Sequence, residues 1–279
     1  MSCSLEQRRS WIEAKHQRLS VARQCALLGL DRSSYYCVAE PEATENLRYR
    51  RLLDEEYTRH PFYGVEKMTF WLRQQAYAMG PKRVRRLLRQ MGLMAVYPKP
   101  HLSLNSLEHR RFPYLLRGLR IERPNQVWSS DITYIRLRSG FVYLVAILDW
   151  YSRYVLAWEL SISLEGEFCR AALEWALARE RREIFSTDQG VQFTSREFQA
   201  PLLAAQVRLR MDGRGRLFDN IVVERLWRSV KYEEVYLKDS EDVRAARRGL
   251  RDYFHFYNTE RYHQALEYRT PQSVHWGGS

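Results

Sequence analysis

Three acidic residues of the 279-residue chain lie where a carboxylate needs a chemical explanation. Asp131 interrupts the predicted strand VWSSDITYIRL, Asp188 follows the predicted strand EIFST, and Glu224 lies in the predicted helix NIVVERLW. A buried carboxylate is unfavourable unless it has a partner or a metal ion. Three converging carboxylates would suit Mg²⁺ or Mn²⁺, which prefer oxygen ligands. Two such ions roughly 3.5–4 Å apart can activate a hydroxyl and stabilise the leaving oxygen in phosphodiester chemistry.

Each acid also has a simpler structural explanation. Asp131 could bond to the backbone in a β-bulge, and Asp188 could cap the turn predicted at Gln189-Gly190. Glu224 could pair with Arg228, four residues later on its helix. The placement of all three acids on three specific elements favours a shared site over three unrelated contacts.

The part of the chain from Gln126 onwards supplies the elements that must position these acids. Three consecutive strands joined by short turns predict an antiparallel meander, with Phe141 to Leu148 as a largely buried strand. A helix is predicted from Leu164 to Arg182, with its buried face at Phe168, Ala172, Trp175 and Leu177. Two further strands, each followed by a helix, complete the order βββαβαβα. This order matches an α/β, ribonuclease-H-like architecture, a five-stranded mixed sheet covered by helices.

The net charge of +12 at pH 7 is concentrated in the first part of the chain. Residues 1–120 carry 22 basic and 11 acidic side chains, whereas residues 121–279 carry 23 and 22. This asymmetry favours a polyanion-binding front end attached to a nearly neutral globular part. A solubilising surface would be the alternative, and the arrangement of the charges decides between the two.

A helix, a short turn and a basic helix are predicted within PFYGVEKMTFWLRQQAYAMGPKRVRRLLRQMGL. The turn lies at Met79-Gly80, Pro81 suits the first position of the second helix, and Gly92 ends that helix. Its apolar side carries Val84, Leu87, Leu88 and Met91, and its other side carries Lys82, Arg83, Arg85, Arg86 and Arg89. The pattern favours a helix-turn-helix that contacts DNA over an amphipathic helix with a solvated basic face.

Composition excludes several other classes of protein. The four cysteines, Cys3, Cys25, Cys37 and Cys169, form no CxxC pair, so a disulfide framework or a zinc finger is not expected. No apolar run approaches the roughly 18 residues that span a bilayer, and the first residues lack the apolar stretch of a signal peptide. We therefore expect a cytoplasmic protein without a membrane partner, associated with the nucleoid when it is bound to DNA.

Several motifs together resemble one family. WSSDITYI, STDQGVQFTS and DNIVVERLWRSVKYEEVY are similar to the three blocks of the DDE transposase and retroviral-integrase core. More closely, the chain resembles the OrfB product of two-frame insertion sequences, through YNTERYHQALEYRTPQSV, the PFYGVEKM segment and SVARQCALLGLDRSSYY. The resemblance covers nearly the whole chain.

The resemblance implies roles for particular residues. It implies that Asp131, Asp188 and Glu224 bind two Mg²⁺ (or Mn²⁺) ions and that Lys231 contacts DNA. It also implies that three further residues shape the site without performing chemistry, namely Gln189, Gly190 and Asn220. His263 matches the histidine of the C-terminal motif, and its role is left open between a structural contact and catalysis.

The resemblance also implies an activity and its partners. A DNA transposase would cleave phosphodiesters at the ends of its own element, transfer the strands and integrate a circular intermediate. Two ends would be held by a dimer or higher oligomer, and an upstream-frame (OrfA-type) partner could supply another helix-turn-helix and a coiled coil. The alternatives are a non-catalytic DNA-binding regulator on a transposase scaffold and a nuclease that degrades RNA–DNA hybrids.

Four regions follow from this interpretation. They are a helical helix-turn-helix region at 1–96, a basic proline-containing linker at 97–124, the catalytic core at 125–235 and a C-terminal helical extension at 236–279. Two further acids near the third motif, Asp212 and Asp219, are not expected to be ligands. Asp219 would cap a helix N-terminus, and Asp212 precedes a loop containing Gly213 and Gly215. The motifs depart from the family at Arg261-Tyr262-His263, where Arg-Pro-His is common, and at Ile221, where alanine is usual.

Overall fold

The computed structural model of the chain describes residues 4–36, 44–97, 120–180, 182–188, 190–211 and 221–277. The chain divides into two compact units, 1–52 and 53–279. The helices are Leu5–Ser10 (α1), Val21–Leu27 (α2), Arg32–Tyr36 (α3), Thr44–Arg59 (α4), Val65–Gln74 (α5), Pro81–Gln90 (α6), Glu167–Leu177 (α7), Val191–Thr194 (α8), Arg196–Ala204 (α9), Ile221–Val230 (α10), Tyr236–Lys238 (α11), Val243–Thr259 (α12) and Pro271–Trp276 (α13). The strands are Val127–Leu137 (β1), Gly140–Asp149 (β2), Val155–Ser161 (β3), Ile184–Thr187 (β4) and Arg208–Met211 (β5).

The first unit contains the short helices α1 to α3. Ser20 caps α2 by accepting a hydrogen bond from the backbone N–H of Arg23. Gly29, with φ of +58°, ends the helix and lets the N–H of Leu30 bond to the carbonyl of Cys25. Ile12, Cys25 and Leu30 form a small buried cluster. The segment from Ser20 to Tyr36 therefore forms a helix, a turn and a second helix.

Helices α5 and α6 form the predicted helix pair and belong to the second unit. Pro81 occupies the first turn of α6, where its missing N–H leaves no intrahelical bond unmade. Gly92, with φ of +70°, closes the helix, and the N–H of Leu93 bonds to the carbonyl of Leu88. The apolar side chains Val84, Leu87 and Leu88 are buried.

The sheet has the strand order β3-β2-β1-β4-β5. β1, β2 and β3 are antiparallel neighbours, whereas β4 pairs in parallel with both β1 and β5. A parallel neighbour requires a crossover connection, and α7 supplies it between β3 and β4. The predicted ribonuclease-H-like mixed sheet, with the order βββαβαβα, is confirmed.

Both faces of the sheet are covered. Because side chains alternate along a strand, Leu144 and Ala146 of β2 point to one cluster, and Val145 and Ile147 point to the other. The first cluster contains buried residues of α10 and α12, and the second contains buried residues of α7 and α9. Double-sided burial explains why β2 has a continuous apolar sequence.

The helix after the meander differs from its prediction. α7 covers Glu167–Leu177, which is shorter than the predicted span from Leu164 to Arg182. The buried face is centred on Ala172 and Ala176, whose small side chains allow close packing, so Trp175 lies at the margin and is 59% exposed. The predicted burial of Trp175 is therefore wrong, because the helical period of 3.6 residues separates it from the centre of that face by about a quarter turn.

The boundary between the compact units lies at Leu52/Leu53, whereas the sequence suggests a functional boundary near residue 96. α12 also contributes to the first sheet cluster through Leu250, Tyr253 and Phe254. Of the predicted linker at 97–124, residues 98–119 lie outside the described residues. The division into four functional regions stays a prediction.

None of the helices in the described ranges has both the length and the apolar character needed to cross a bilayer. Cys25 and Cys169 are buried free thiols, and Cys3 and Cys37 lie outside the described residues.

Candidate active site

Asp131 lies in the middle of the central strand β1. Its Oδ2 accepts a hydrogen bond of 2.9 Å from Nε1 of Trp227 on α10. Burial raises the pKa of Asp131, hydrogen bonds from Trp227 and from the backbone of Ile132 oppose the rise, and the charges of Asp188 and Glu224 add to it. The two other predicted acids therefore lie within electrostatic reach of Asp131.

Asp188 follows β4 directly. Val127 pairs with Ile184 and Ser129 with Ser186, the last of the parallel pairs between β1 and β4. Asp131 and Asp188 each follow two residues after that pair, on strands that are about 4.7–4.9 Å apart where they pair. Asp188 is exposed, in contrast to the partly buried Asp131.

The backbone after Asp188 turns tightly around its carboxylate. The N–H of Gly190 donates a 3.0 Å hydrogen bond to Oδ1 of Asp188. A Cβ atom at Gly190 would lie 3.0 Å from the same oxygen, which is too close for an ordinary contact. The close approach therefore favours glycine, since a Cβ would require the exposed Asp188 side chain to shift by a few tenths of an ångström. Gln189 lies outside the described residues.

Glu224 lies on α10, whose apolar face is anchored in the first sheet cluster. The buried anchors are Val222, Val223, Leu226, Trp227 and Val230. Glu224 itself is exposed and contributes to the raised pKa of Asp131. The predicted residue Asn220 lies outside the described residues, as do Asp212 and Asp219.

The three carboxylates form an all-oxygen donor set that fits hard divalent cations better than softer metals. The pKa of Asp131 is raised chiefly by burial, and the charges of Asp188 and Glu224 add to the rise, which a bound cation would oppose. Among the described residues, no three His, Cys, Asp or Glu side chains are close enough together to hold an ion as they stand. A metal site formed by the three acids therefore stays a prediction.

Trp227 is a site residue that the sequence interpretation missed. It lies three residues after Glu224, where side chains share one side of a helix, and its indole N–H reaches Asp131. The signal available in the sequence was an indole N–H donor about one helical turn after Glu224. Its apolar neighbours instead suggested a purely hydrophobic role.

The predicted DNA-contacting residues are placed in two regions. On α6, Lys82, Arg85, Arg86 and Arg89 are exposed, whereas Arg83 is partly buried. Lys231 is partly buried and begins a π-helical turn, Lys231–Val235, that directly follows α10. Lys231 therefore lies just beyond the α-helix that carries Glu224, because the backbone widens from that residue onwards.

His263 is surrounded by groups that keep it uncharged. Its ring meets that of Tyr257 edge-on at 4.8 Å, and Nη1 of Arg261 lies 3.2 Å from its Nε2. Burial, followed by the positive charges of Arg261 and Lys67, lowers the pKa of His263 to about 2. A neutral, packed imidazole fits a structural contact better than proton transfer.

The second sheet cluster holds the thiol of Cys169 close to the site. Burial and the charge of Asp188 raise the pKa of Cys169 to about 12. A thiol with that pKa stays protonated, so it offers neither a nucleophile nor a soft metal ligand.

Comparison with known proteins adds independent information. The chain matches the integrase core domain over residues 121–216, a second integrase core domain model over 205–271 and an HTH-like domain over 45–101. It is 30% identical over 242 residues to the transposase InsF for insertion sequence IS3A of Escherichia coli K12, covering 81% of this chain and 83% of that protein. It is 29% identical over 217 residues to the transposase for IS904 of Lactococcus lactis, covering 75% and 86%.

The fold also matches a solved structure. The simian T-cell lymphotropic virus intasome, solved in complex with PP2A regulatory subunit B56 gamma, is similar over 82% of this chain and 74% of that one. The TM-score is 0.51 at 16% identity, which supports the shared fold. Integrase core domains depend on divalent metal ions, in agreement with the oxygen donors found here. The chain therefore belongs to the insertion-sequence transposases that include InsF of IS3, DDE-type polynucleotidyl transferases that carry out DNA transposition.

Proposed function

We propose that Asp131, Asp188 and Glu224 are the catalytic carboxylates of this transposase and that they hold two Mg²⁺ or Mn²⁺ ions. The main supporting observation is that Trp227, three residues after Glu224 on α10, donates a hydrogen bond to Asp131, while β4, which Asp188 follows, pairs in parallel with β1. Two ions held there would supply activation of an attacking hydroxyl and stabilisation of the leaving oxygen.

The residues themselves divide the work. The hydrogen bond from Trp227 fixes the orientation of the Asp131 carboxylate. The Gly190 N–H holds one oxygen of Asp188 and leaves its other oxygen available. Glu224 reaches the site from an anchored helix, and its exposed side chain can adjust its position when the site is filled. His263 supports the fold and transfers no proton.

The proposed site is tested by conservative substitutions. Asp131→Asn, Asp188→Asn and Glu224→Gln should each lower Mg²⁺-dependent cleavage of terminal inverted-repeat DNA by at least about 100-fold, because each removes a charged metal ligand. End binding, measured separately, should persist. The matched controls are Asp252→Asn and Glu197→Gln, which alter exposed acids elsewhere in the second unit. Wild-type cleavage rates in any triad variant would remove that residue from the site.

We also propose that α6 contacts the DNA ends through Lys82, Arg85, Arg86 and Arg89. Their exposure on one side of a helix anchored by its opposite side supports this role. The partly buried Arg83 makes a smaller contribution, and Lys231 is proposed to contact the strand near the carboxylates.

The α6 proposal predicts a change in salt dependence. Each phosphate contact contributes about 0.9 to the slope of log affinity against log salt. Replacing Arg85, Arg86 and Arg89 together with glutamine should lower that slope by about 2–3 units. The control replaces the exposed Arg244 and Arg248 of α12. An unchanged slope in the α6 variant would exclude this helix from the interface.

We propose further that two or more copies of the chain act together on DNA. Transposition joins two element ends, and each copy carries one set of carboxylates. The mass of the complex formed with end DNA, measured by light scattering with and without an OrfA-type partner, tests both associations. A 1:1 complex that completes strand transfer would overturn the oligomer. Because the substrate is DNA, we place the site of action at the nucleoid.

A further inference from the structure

A buried polar cluster contains none of the proposed metal and DNA ligands. Its members come from three segments: Lys67 of α5, Glu233 of the π-helical turn, and Arg261 and His263 after α12. We call these residues the Arg261 cluster. Apart from the structural role of His263, these residues have no part in the proposed function.

Arg261 binds Glu233 through two parallel hydrogen bonds. Nε donates to Oε2 at 2.6 Å, and Nη2 donates to Oε1 at 2.5 Å. Tyr253 donates its hydroxyl to the same carboxylate at 2.9 Å. The side chains of Arg261 and Glu233 are only 11% and 10% exposed, so the pair is shielded from salt and water. A bidentate pair of this kind fixes direction as well as distance.

The π-helical turn continues the helix that carries Glu224. Nη2 of Arg261 also reaches Oγ of Ser229, at 3.4 Å, in the last turn of α10. On the other side of the turn, a Cβ at Gly249 of α12 would lie 2.4 Å from Oε1 of the buried Glu234. The turn is therefore held closely against α12. Because it is continuous with α10, its position sets the rotation of α10 about its own axis.

The same cluster meets the helix pair α5 and α6, whose second helix carries the proposed DNA-binding face. Tyr262, which directly follows Arg261, lies against Phe70 of α5, and the Nζ of Lys67 on α5 lies 4.8 Å from the ring centre of Tyr63. Burial, followed by the charge of Arg261, lowers the pKa of Lys67. Aromatic contacts surround this point. They are Phe70 with Tyr262 at 4.8 Å, Phe70 with Tyr268 at 5.1 Å and His60 with Phe256 at 4.5 Å.

We propose that Arg261 is a positioning residue that anchors the Glu224 helix and the DNA-binding helix pair to one point. Through Glu233 it fixes the π-helical turn and hence the rotation of α10, and through the surrounding contacts it fixes α5. The functional part of this inference rests on the proposed role of Glu224. Its structural part does not.

Arg261→Lys separates position from charge. Lysine keeps the positive charge but cannot donate in parallel to both oxygens of Glu233. In the metal-free full-length protein, amide hydrogen exchange in residues 221–235 and 65–74 should become about tenfold faster, while β2 stays protected. The matched control is Arg247→Lys, which alters the ion pair between Arg247 of α12 and Glu159 of β3. This variant should leave exchange in both segments unchanged. Unchanged exchange in 221–235 of the Arg261→Lys variant would overturn the proposal.

Cleavage kinetics provide the functional readout. Arg261→Lys should lower kcat by about tenfold or more and raise the Mg²⁺ concentration for half-maximal rate, while KM for end DNA changes by less than about threefold. Full kcat together with loosened 221–235 would overturn the positioning role. Failure of the catalytic assignment is distinguished by Glu224→Gln, because full activity in that variant overturns the role of Glu224 and leaves the exchange result standing.

Discussion

The hydrogen bond between Trp227 and Asp131 provides a sharp test of the site geometry. Trp227→Phe keeps an aromatic ring on α10 but removes the indole N–H that donates to Oδ2 of Asp131 at 2.9 Å. Trp227 is 6% exposed, so water replaces the missing donor poorly. Oδ2 of Asp131 should therefore be left under-satisfied beside the acids that already repel it.

The size of the effect follows from the type of bond. A hydrogen bond to a charged group contributes about 1.5–3 kcal/mol, which corresponds to about 10- to 100-fold in rate if the bond persists in the transition state. In the metal-free protein, the pKa of Asp131 is already raised, chiefly by burial. Losing a donor that favours the charged form should raise this pKa further.

Two measurements check this prediction. The cleavage rate at saturating Mg²⁺ should fall within the range given above, and carboxyl NMR titration of the metal-free protein should report the higher pKa of Asp131. Trp175→Phe is the matched control, because Trp175 is 59% exposed and stacks on Arg179 at 3.8 Å, with no contact to the acids. A Trp227→Phe variant that folds and keeps both the wild-type rate and the wild-type pKa of Asp131 would refute the reasoning.

Three further predictions concern stability. Ala76 lies just after α5 with φ of +63°, a backbone conformation that favours glycine. Ala76→Gly should therefore raise the free energy of unfolding by about 0.5–1 kcal/mol in urea titrations. Ala78→Gly is the control and should gain nothing. Asn258 pairs through its side chain with both the N–H and the carbonyl of Val155, each at 2.9 Å, so Asn258→Ala should lower that free energy by about 2–4 kcal/mol; a loss below about 0.5 kcal/mol would contradict the pairing. Burial and the charge of Arg261 lower the pKa of Lys67 from 10.5 to about 7. Between these two pH values, the unfolded chain binds a proton that the folded chain lacks. The contribution of Lys67 to stability therefore rises with pH in this range. Lys67→Met should therefore gain about 1–3 kcal/mol relative to wild type at pH 6 and less at pH 9, and equal differences at both pH values would exclude the low pKa.

The polar cluster around Arg261 gives a physical reason for two features of the C-terminal segment. Burial, together with the charge of the guanidinium, lowers the pKa of His263 and keeps it uncharged. The neighbouring Tyr262 contacts the ring of Tyr63 and that of Phe70 on α5. Buried ion pairs are costly to desolvate and often serve specificity more than stability, which agrees with a positioning function.

Local sequence patterns predicted the order of the elements and selected three acids, whose role as ligands stays a prediction. Alternation and apolar runs predict the meander, and β2 is buried on both faces as its continuous apolar sequence indicates. The acids could be selected because each breaks or ends a patterned element, at Asp131 within β1, at Asp188 after β4 and at Glu224 on α10.

Contacts between distant segments were decided by tertiary structure alone. Trp175 lies about a quarter turn from the centre of the buried face of α7, and only the packing of Ala172 and Ala176 against the sheet decides which face that is. Likewise, no periodicity links Lys67 to Arg261 or His60 to Phe256. Periodicity reports which face of an element is buried, but the partner of that face depends on the global chain path, and a side-chain bond such as that from Trp227 to Asp131 exists only once that path is complete.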